Sequence, residues 1–264
     1  MSKKIFTTIL VIFAVLAMIF LGFWQLDRHS QKSDINERIS ARLDNEPLGL
    51  VDIDKLKSYE IIEIERDFEY RSIAITGKYI QEDSVLIRNR TYNGVPGFWL
   101  LTPFQLLNNQ IIVVNRGWLP ISAENYIDLN TSALDLTGIF RKAELAKGLQ
   151  RSDASQGVLK SLARPDLARY EDQLGYEIFP MYIQLSSQSP QQADGFPQVL
   201  DIPKFSEGQH LSYAVQWFIF ASIAAIGYPL VLWSYSKSKG TKNEKNQTFQ
   251  LTTSKNEEGE HIRC

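Results

Sequence analysis

Residues 5–23 and 211–233 form two apolar stretches without a charged side chain, near opposite ends of a 264-residue chain. An α-helix rises about 1.5 Å per residue and a bilayer's hydrocarbon core is about 30 Å thick, so roughly 20 apolar residues are needed to cross it. Both stretches meet that length. They enclose about 180 residues of ordinary polar sequence, which must fold outside lipid.

An apolar run behind Lys3 and Lys4 is also how a secretory signal peptide begins. The run is followed, however, by Trp24, Gln25, Asp27 and Arg28 instead of a small-residue cleavage site, and its own small residues, 14–17, lie inside it. An uncleaved anchor is therefore expected. For the second stretch the rival is a buried core helix. It is too long and too uniformly apolar for that, and Tyr228, Trp233 and Tyr235 resemble an interfacial aromatic belt.

Lys and Arg near span ends resist translocation. Lys3 and Lys4 precede the first span, and Lys237, Lys239, Lys242 and Lys245 follow the second. Arg28, Lys32, Arg38 and Arg42 oppose that signal at the first span, but two crossings place both ends on one face, and residues 205–235 hold no Lys or Arg. The termini are expected to be cytoplasmic and the intervening segment to lie in a periplasm or an intermembrane space. The absence of an Arg- and Ser-rich amphipathic presequence favours a bacterial inner membrane over a mitochondrial one.

The expected organisation is a first membrane helix at 5–26, an external domain at 27–209, a second membrane helix at 210–233, and a polar tail at 236–264 that lacks an apolar pattern and is expected to be disordered. A net charge of -2 with 22% charged residues leaves no nucleic-acid footprint. Cys264 is the only cysteine, which excludes an intrachain disulfide, a CxxC pair and any cysteine-based zinc or iron–sulfur site. His29, His210 and His261 are the only histidines.

Within the external segment, residues 42–65 read as short helices and connections. The period then changes to two. Residues 70–79, 85–90, 99–103, 110–118 and 134–141 are short runs rich in Val, Ile, Thr and aromatics. They are separated by Asn93-Gly94, Pro96-Gly97, Asn108-Asn109 and Pro120, residues that suit turns. Closely spaced strands with no room for helical crossovers imply an antiparallel sheet or a partly closed barrel. After an irregular polar patch at 146–160, residues 164–175 read as a helix, with Pro165 in its first turn, Asp166 complementing the helix dipole and Gly175 ending it. Residues 179–185 return to strand character and 186–203 read as a loop. The fold class is thus a membrane protein, with two transmembrane α-helices flanking an external α+β domain dominated by an antiparallel sheet or partly closed β-barrel.

No GxSxG elbow, GxxxxGK[ST] loop or HExxH motif occurs, and no pair of histidines has helical ligand spacing. Nothing singles out a catalytic pair among the carboxylates, so a non-enzymatic role is expected. The loop–membrane junctions are more informative. Trp24, Gln25 and Arg28 fall within two helical turns at the end of the first span, and His210, Tyr213, Gln216 and Trp217 open the second. Trp24 at headgroup depth and a snorkelling Arg28 would account for the first cluster. A hydrogen bond between Gln25 and Gln216 would help the helices associate.

These junctions match GxWQxxR at Gly22, Trp24, Gln25 and Arg28, and HLxYAxQWF at His210, Leu211, Tyr213, Ala214, Gln216, Trp217 and Phe218. Between them, residues 96–103 (PGFWLLTP) and 114–120 (VNRGWLP) are similar to two further signatures in the same order. The chain thereby resembles the surfeit locus protein 1 family, assembly factors for haem-copper cytochrome c oxidase, over about residues 22–235. The resemblance implies a protein that assists maturation of oxidase subunit I, receiving or presenting haem a transiently. The implied partners are subunit I, haem a synthase and membrane lipid, with no nucleic acid. It also implies His210 as the iron ligand. Neutral imidazole suits iron, and Trp24, Tyr213 and Trp217 offer a porphyrin apolar contact. Arg28 and Arg116 are candidates for the propionates, and His29 for a second axial ligand. An interfacial hydrogen bond for His210, solvation for His29, snorkelling for Arg28 and a structural contact for Arg116 remain the alternatives at the level of single residues. At the level of function the alternative is a cofactor-free membrane scaffold that stabilises an oxidase assembly intermediate.

Overall fold

A computed structural model describes residues 3–124, 132–192, 196–202 and 205–260. They form two compact units, one from Met1–Asn36 and Ser206–Cys264, the other from Glu37–Phe205.

The first unit contains most of α1 (Lys3–Asp44) and all of α5 (His210–Glu260). Each carries an apolar window long enough to cross a bilayer, and only 6% of either window is buried. That number removes the core-helix alternative, because a core helix hides its apolar surface while Phe13 and Phe20 here are each 70% exposed. The helices meet along small residues. A Cβ on Gly22 would lie 2.7 Å from the Phe218 ring, and Ala214 and Ala221 are buried. Phe23 meets Phe218 edge to face at 5.5 Å. Thr8 and Tyr228 hydroxyls lie 2.8 Å apart, an interhelical bond of the kind that associates helices in lipid. The helical backbone of α5 continues through residues 236–260, where the sequence pattern gives no reason to expect it. This stretch has no proline to stop a helix that is already nucleated.

In the second unit, α2 (Leu50–Leu56) and α3 (Ile61–Phe68) precede a mixed seven-stranded sheet. Its strands are β1 (Ser72–Tyr79), β2 (Val85–Tyr92), β3 (Val95–Leu106), β4 (Ile111–Pro120), β5 (Leu134–Lys142), β6 (Ser161–Leu162) and β7 (Met181–Ser189), with α4 (Leu167–Leu174) between the last two. The order is β1-β5-β7-β4-β3-β2-β6, and a further pairing joins β1 to β3. Five strands therefore close into a ring. The closure depends on the length of β3: its residues 95–101 pair with β2 on one edge, and residues 104–106 on that same edge pair with β1.

Most pairs are antiparallel, but β4–β7 and β2–β6 are parallel. The strand nearest the centre, β4, buries both faces. Ile112 and Val114 join the main core with Ile73, Phe104, Leu136, Phe140 and Ile183, while Val113 joins Val85, Leu101, Leu167 and Tyr170 under α4. Asn93 and Gly94 make the two-residue β2–β3 turn in left-handed conformation, as the sequence suggests. Pro96-Gly97 lies inside β3 rather than in a turn. Gly97 pairs with Pro120, and a Cβ there would meet the Leu119 carbonyl and the Trp118 ring, so the residue serves close strand approach. The helix expected at 164–175 begins at Leu167, because Pro165 precedes the cap. Asp166 caps it, accepting a bond from the Arg169 amide at 3.1 Å, and Gly175 ends it with φ 73°.

Candidate functional site

The signature residues of the second unit are absorbed by its own packing. Arg116 on β4 is completely buried. Its guanidinium lies over the Tyr79 ring at 4.3 Å, with Nη1 donating to Gln81 Oε1 at 2.9 Å and Nε donating to Gln192 Oε1 at 3.3 Å. A propionate has no access to a side chain held in this way, which gives Arg116 a structural role. The following Gly117 has φ 132° and stands so close to the Gln198 carbonyl that a Cβ would fall 2.2 Å from its oxygen. The reason is a two-bond bridge: Trp118 and Gln198 exchange backbone hydrogen bonds at 2.7 and 2.8 Å. Trp118 also packs on Tyr92 and Phe196. The VNRGW segment thus straps the returning chain, at Gln192 and residues 196–199, to β4.

A second buried network surrounds Asp83. Its carboxylate accepts from the Tyr176 hydroxyl at 2.6 Å, and its carbonyl accepts from Tyr170. Burial first raises both tyrosines above the ordinary phenol range, followed by Tyr176 and then Asp83 for Tyr170, and by the hydrogen bond to Asp83 and its charge for Tyr176. Burial likewise pushes Tyr182 up to about 12. None of these groups is positioned as an acid or base for neutral-pH chemistry. This unit also carries a groove of ≈ 780 Å³ beside α3 and α4, lined by apolar residues such as Ile64, Leu167 and Phe179 together with Glu65, Glu171 and Glu177. Its lining includes no histidine or cysteine, so it offers iron no imidazole or thiolate ligand.

The helix pair keeps its signature residues available. His210 is the first residue of α5, half-buried, with Nδ1 2.9 Å from Gln25 Oε1 on α1. The anticipated Gln25–Gln216 pair gives way to this one. At about 100° per residue, Gln216 lies roughly 240° around the helix from His210, while Ala214, Trp217 and Ala221 lie within about 40° of it. That phase is the sequence signal that would have found the pairing. Tyr213 is 47% exposed, and Trp217 is half-buried and edge-on to Phe220 at 6.3 Å. On α1, Trp24 is 44% exposed beneath the Arg28 guanidinium, 5.7 Å from its ring centre. Arg28 also donates to Gln31, which in turn donates to Asp27. His29 Nε2 lies 3.9 Å from Glu207, a partner that sequence reading missed, and its Nδ1 is buried with no hydrogen-bond partner among the described residues.

Among the described residues, no cluster of three or more His, Cys, Asp or Glu is arranged to hold a metal. His210, with Tyr213 and Trp217 at helical spacing, has the chemistry of a single axial ligand beside apolar rings, since a neutral imidazole nitrogen suits an iron already held in an organic ring. These features define a membrane-anchored accessory protein: a paired-helix anchor with an imidazole and aromatic rings near one end, in one chain with a sheet-rich domain.

The SURF1 family model matches residues 12–222, and the chain belongs to that family, which is linked to cytochrome c oxidase assembly. It is 24% identical over 241 residues to an uncharacterised SURF1-like protein of Mycobacterium bovis, covering 90% of this chain and 85% of the relative. It is 26% identical over 235 residues to a SURF1-like protein of Rickettsia bellii, covering 87% and 91%. A SURF1-like protein of Dictyostelium discoideum is 31% identical over 109 residues, 40% of each chain.

Proposed function

We propose that this protein carries haem a transiently at the non-cytoplasmic end of its helix pair and presents it to nascent oxidase subunit I in a cell inner membrane. In this reading both termini are cytoplasmic, the sheet domain is periplasmic, and haem a synthase is the source of the cargo. The supporting observation is the state of His210. It is a half-buried imidazole at a helix start, bonded through one nitrogen, with an exposed Tyr213 and a half-buried Trp217 at helical spacing. The cargo supplies an iron whose axial position accepts a neutral imidazole nitrogen. Trp24, Tyr213 and Trp217 supply apolar contact to a porphyrin, and Arg28 supplies a charge-assisted donor for a propionate. No reaction is assigned to the protein; its contribution is binding and orientation.

The experiment is purification of the full-length chain from cells that make haem a, with absorbance spectra and iron content of wild type and His210→Ala. Wild type should carry sub-stoichiometric haem that His210→Ala loses. Equal haem in the two proteins removes His210 as the ligand. A colourless wild type under every loading condition, together with falling oxidase yield on deletion, would replace the carrier by the cofactor-free scaffold.

A further inference from the structure

We infer that Gln25 is a positioning residue for His210: it fixes the proton of the imidazole on Nδ1 and turns Nε2 outward as the ligating nitrogen. The inference deepens the haem-carrier reading, but its first test is independent of haem.

Gln25 Oε1 lies 2.9 Å from His210 Nδ1. A carboxamide oxygen can only accept, so Nδ1 carries the hydrogen and the neutral ring has its lone pair on Nε2. A free imidazole distributes its proton between the two nitrogens and rotates; this one has a fixed donor direction. The contact is also held in register from both sides. Gln25 lies one turn beyond Gly22, which is pressed against Phe218, and His210 lies one turn before the buried Ala214. Sliding one helix along the other would break the small-residue contact together with the hydrogen bond.

The chemistry of the acceptor sets the strength of the ligand. An acceptor on the distal N–H of a metal-bound imidazole orients the ring and raises its basicity, and its removal typically weakens metal affinity by about 10–100-fold. A carboxylate in this place would draw the proton further and give a stronger ligand, because charged acceptors bond roughly twice as strongly as neutral ones. An amide therefore makes His210 a competent ligand of intermediate strength, which suits a site that must give its cargo up. Ligand strength should follow the order Gln25→Glu, wild type, Gln25→Leu.

The test uses the detergent-solubilised full chain with ¹⁵N-labelled histidine in mildly alkaline buffer, without haem. Long-range proton–nitrogen spectra report the tautomer of each imidazole, and His210→Ala identifies its signal. Wild-type His210 should be the Nδ1–H form, and Gln25→Leu should become a tautomer mixture. An Nε2–H form in the wild type, or the same tautomer in both proteins, overturns the inference. This holds even where Gln25→Leu folds poorly, since the wild-type spectrum alone can refute it. Haem is then titrated into each protein, reading the iron–histidine stretch of the ferrous form and the rate of haem loss. Gln25→Leu should lower the stretch and release haem about 10–100-fold faster, and Gln25→Glu should do the reverse. A correct tautomer with no haem uptake by the wild type upholds the role of Gln25 while sinking the carrier reading. Uptake with an iron–histidine stretch unchanged across the series sinks the role of Gln25 and leaves the carrier.

Discussion

Two tryptophan-bearing signatures in this chain have opposite fates. In β4, Arg116, Gly117 and Trp118 are buried against Gln192 and residues 196–199, and each hydrogen bond or ring contact described for them ends on the protein itself. In the helix pair, Trp24 and Tyr213 are nearly half exposed. Family motifs mark positions that matter, but burial tells which matter for folding and which stay free for another molecule.

The contrast can be broken most forcefully at Arg116. Arg116→Leu leaves the half-buried Gln81 and Gln192 amides without their partner and should destabilise the sheet domain by about 2–4 kcal/mol. Hydrogen exchange of β4 amides in the full chain measures it, and near-native protection would mean that the guanidinium is dispensable. Alkaline pH is next. Tyr182 has a native pKa of about 12 against an ordinary value of 10.0, so the neutral form is favoured in the fold. Its stabilising contribution is complete below pH 10 and is lost as pH rises through about 12, a loss of about 2–3 kcal/mol from this group alone. Tyrosinate absorbance should therefore lag in the folded domain and jump on unfolding; a smooth titration of all tyrosines near pH 10 would contradict the buried placement. Gly117→Ala forces a side chain into left-handed backbone beside the Gln198 carbonyl and should lose roughly 1–3 kcal/mol, seen first as exposure of the Trp118 and Gln198 amides. The smallest effect sharpens the other side. Trp24→Leu should change domain stability by less than about 0.5 kcal/mol while lowering haem retention, and equal loss of both would show that Trp24 has a structural role.

Much of this architecture was legible beforehand. Apolar length exposed the two spans, alternation exposed the strands at 72–79 and 134–142, and Asn93-Gly94 marked the hairpin. The misses share a cause: they depend on partners distant in sequence. Pro96-Gly97 looks like a turn locally, yet Gly97 is needed inside β3 because Trp118 and Leu119 cross there. The two-residue β6 exists only because β2 accepts it, and the parallel approach of β7 to β4 leaves no local periodicity. At the site, the residue types were readable, but the Gln25–His210 bond joins positions 185 apart and needed helical phase as well as spacing.

The shared edge of β3 also limits how the domain can hold another protein. Because β1 takes over where β2 leaves off, the sheet curls back on itself. Among the described residues its unpaired margins are short: β2 has no strand on its outer edge beyond Ile87, where the pairing with β6 ends, and β7 has none on its β4 side beyond Gln184. Strand addition needs a long, bare backbone ledge, and among the described residues the curled sheet leaves only these short ones. Single substitutions of surface side chains can therefore probe this domain's outer faces without unpicking the sheet.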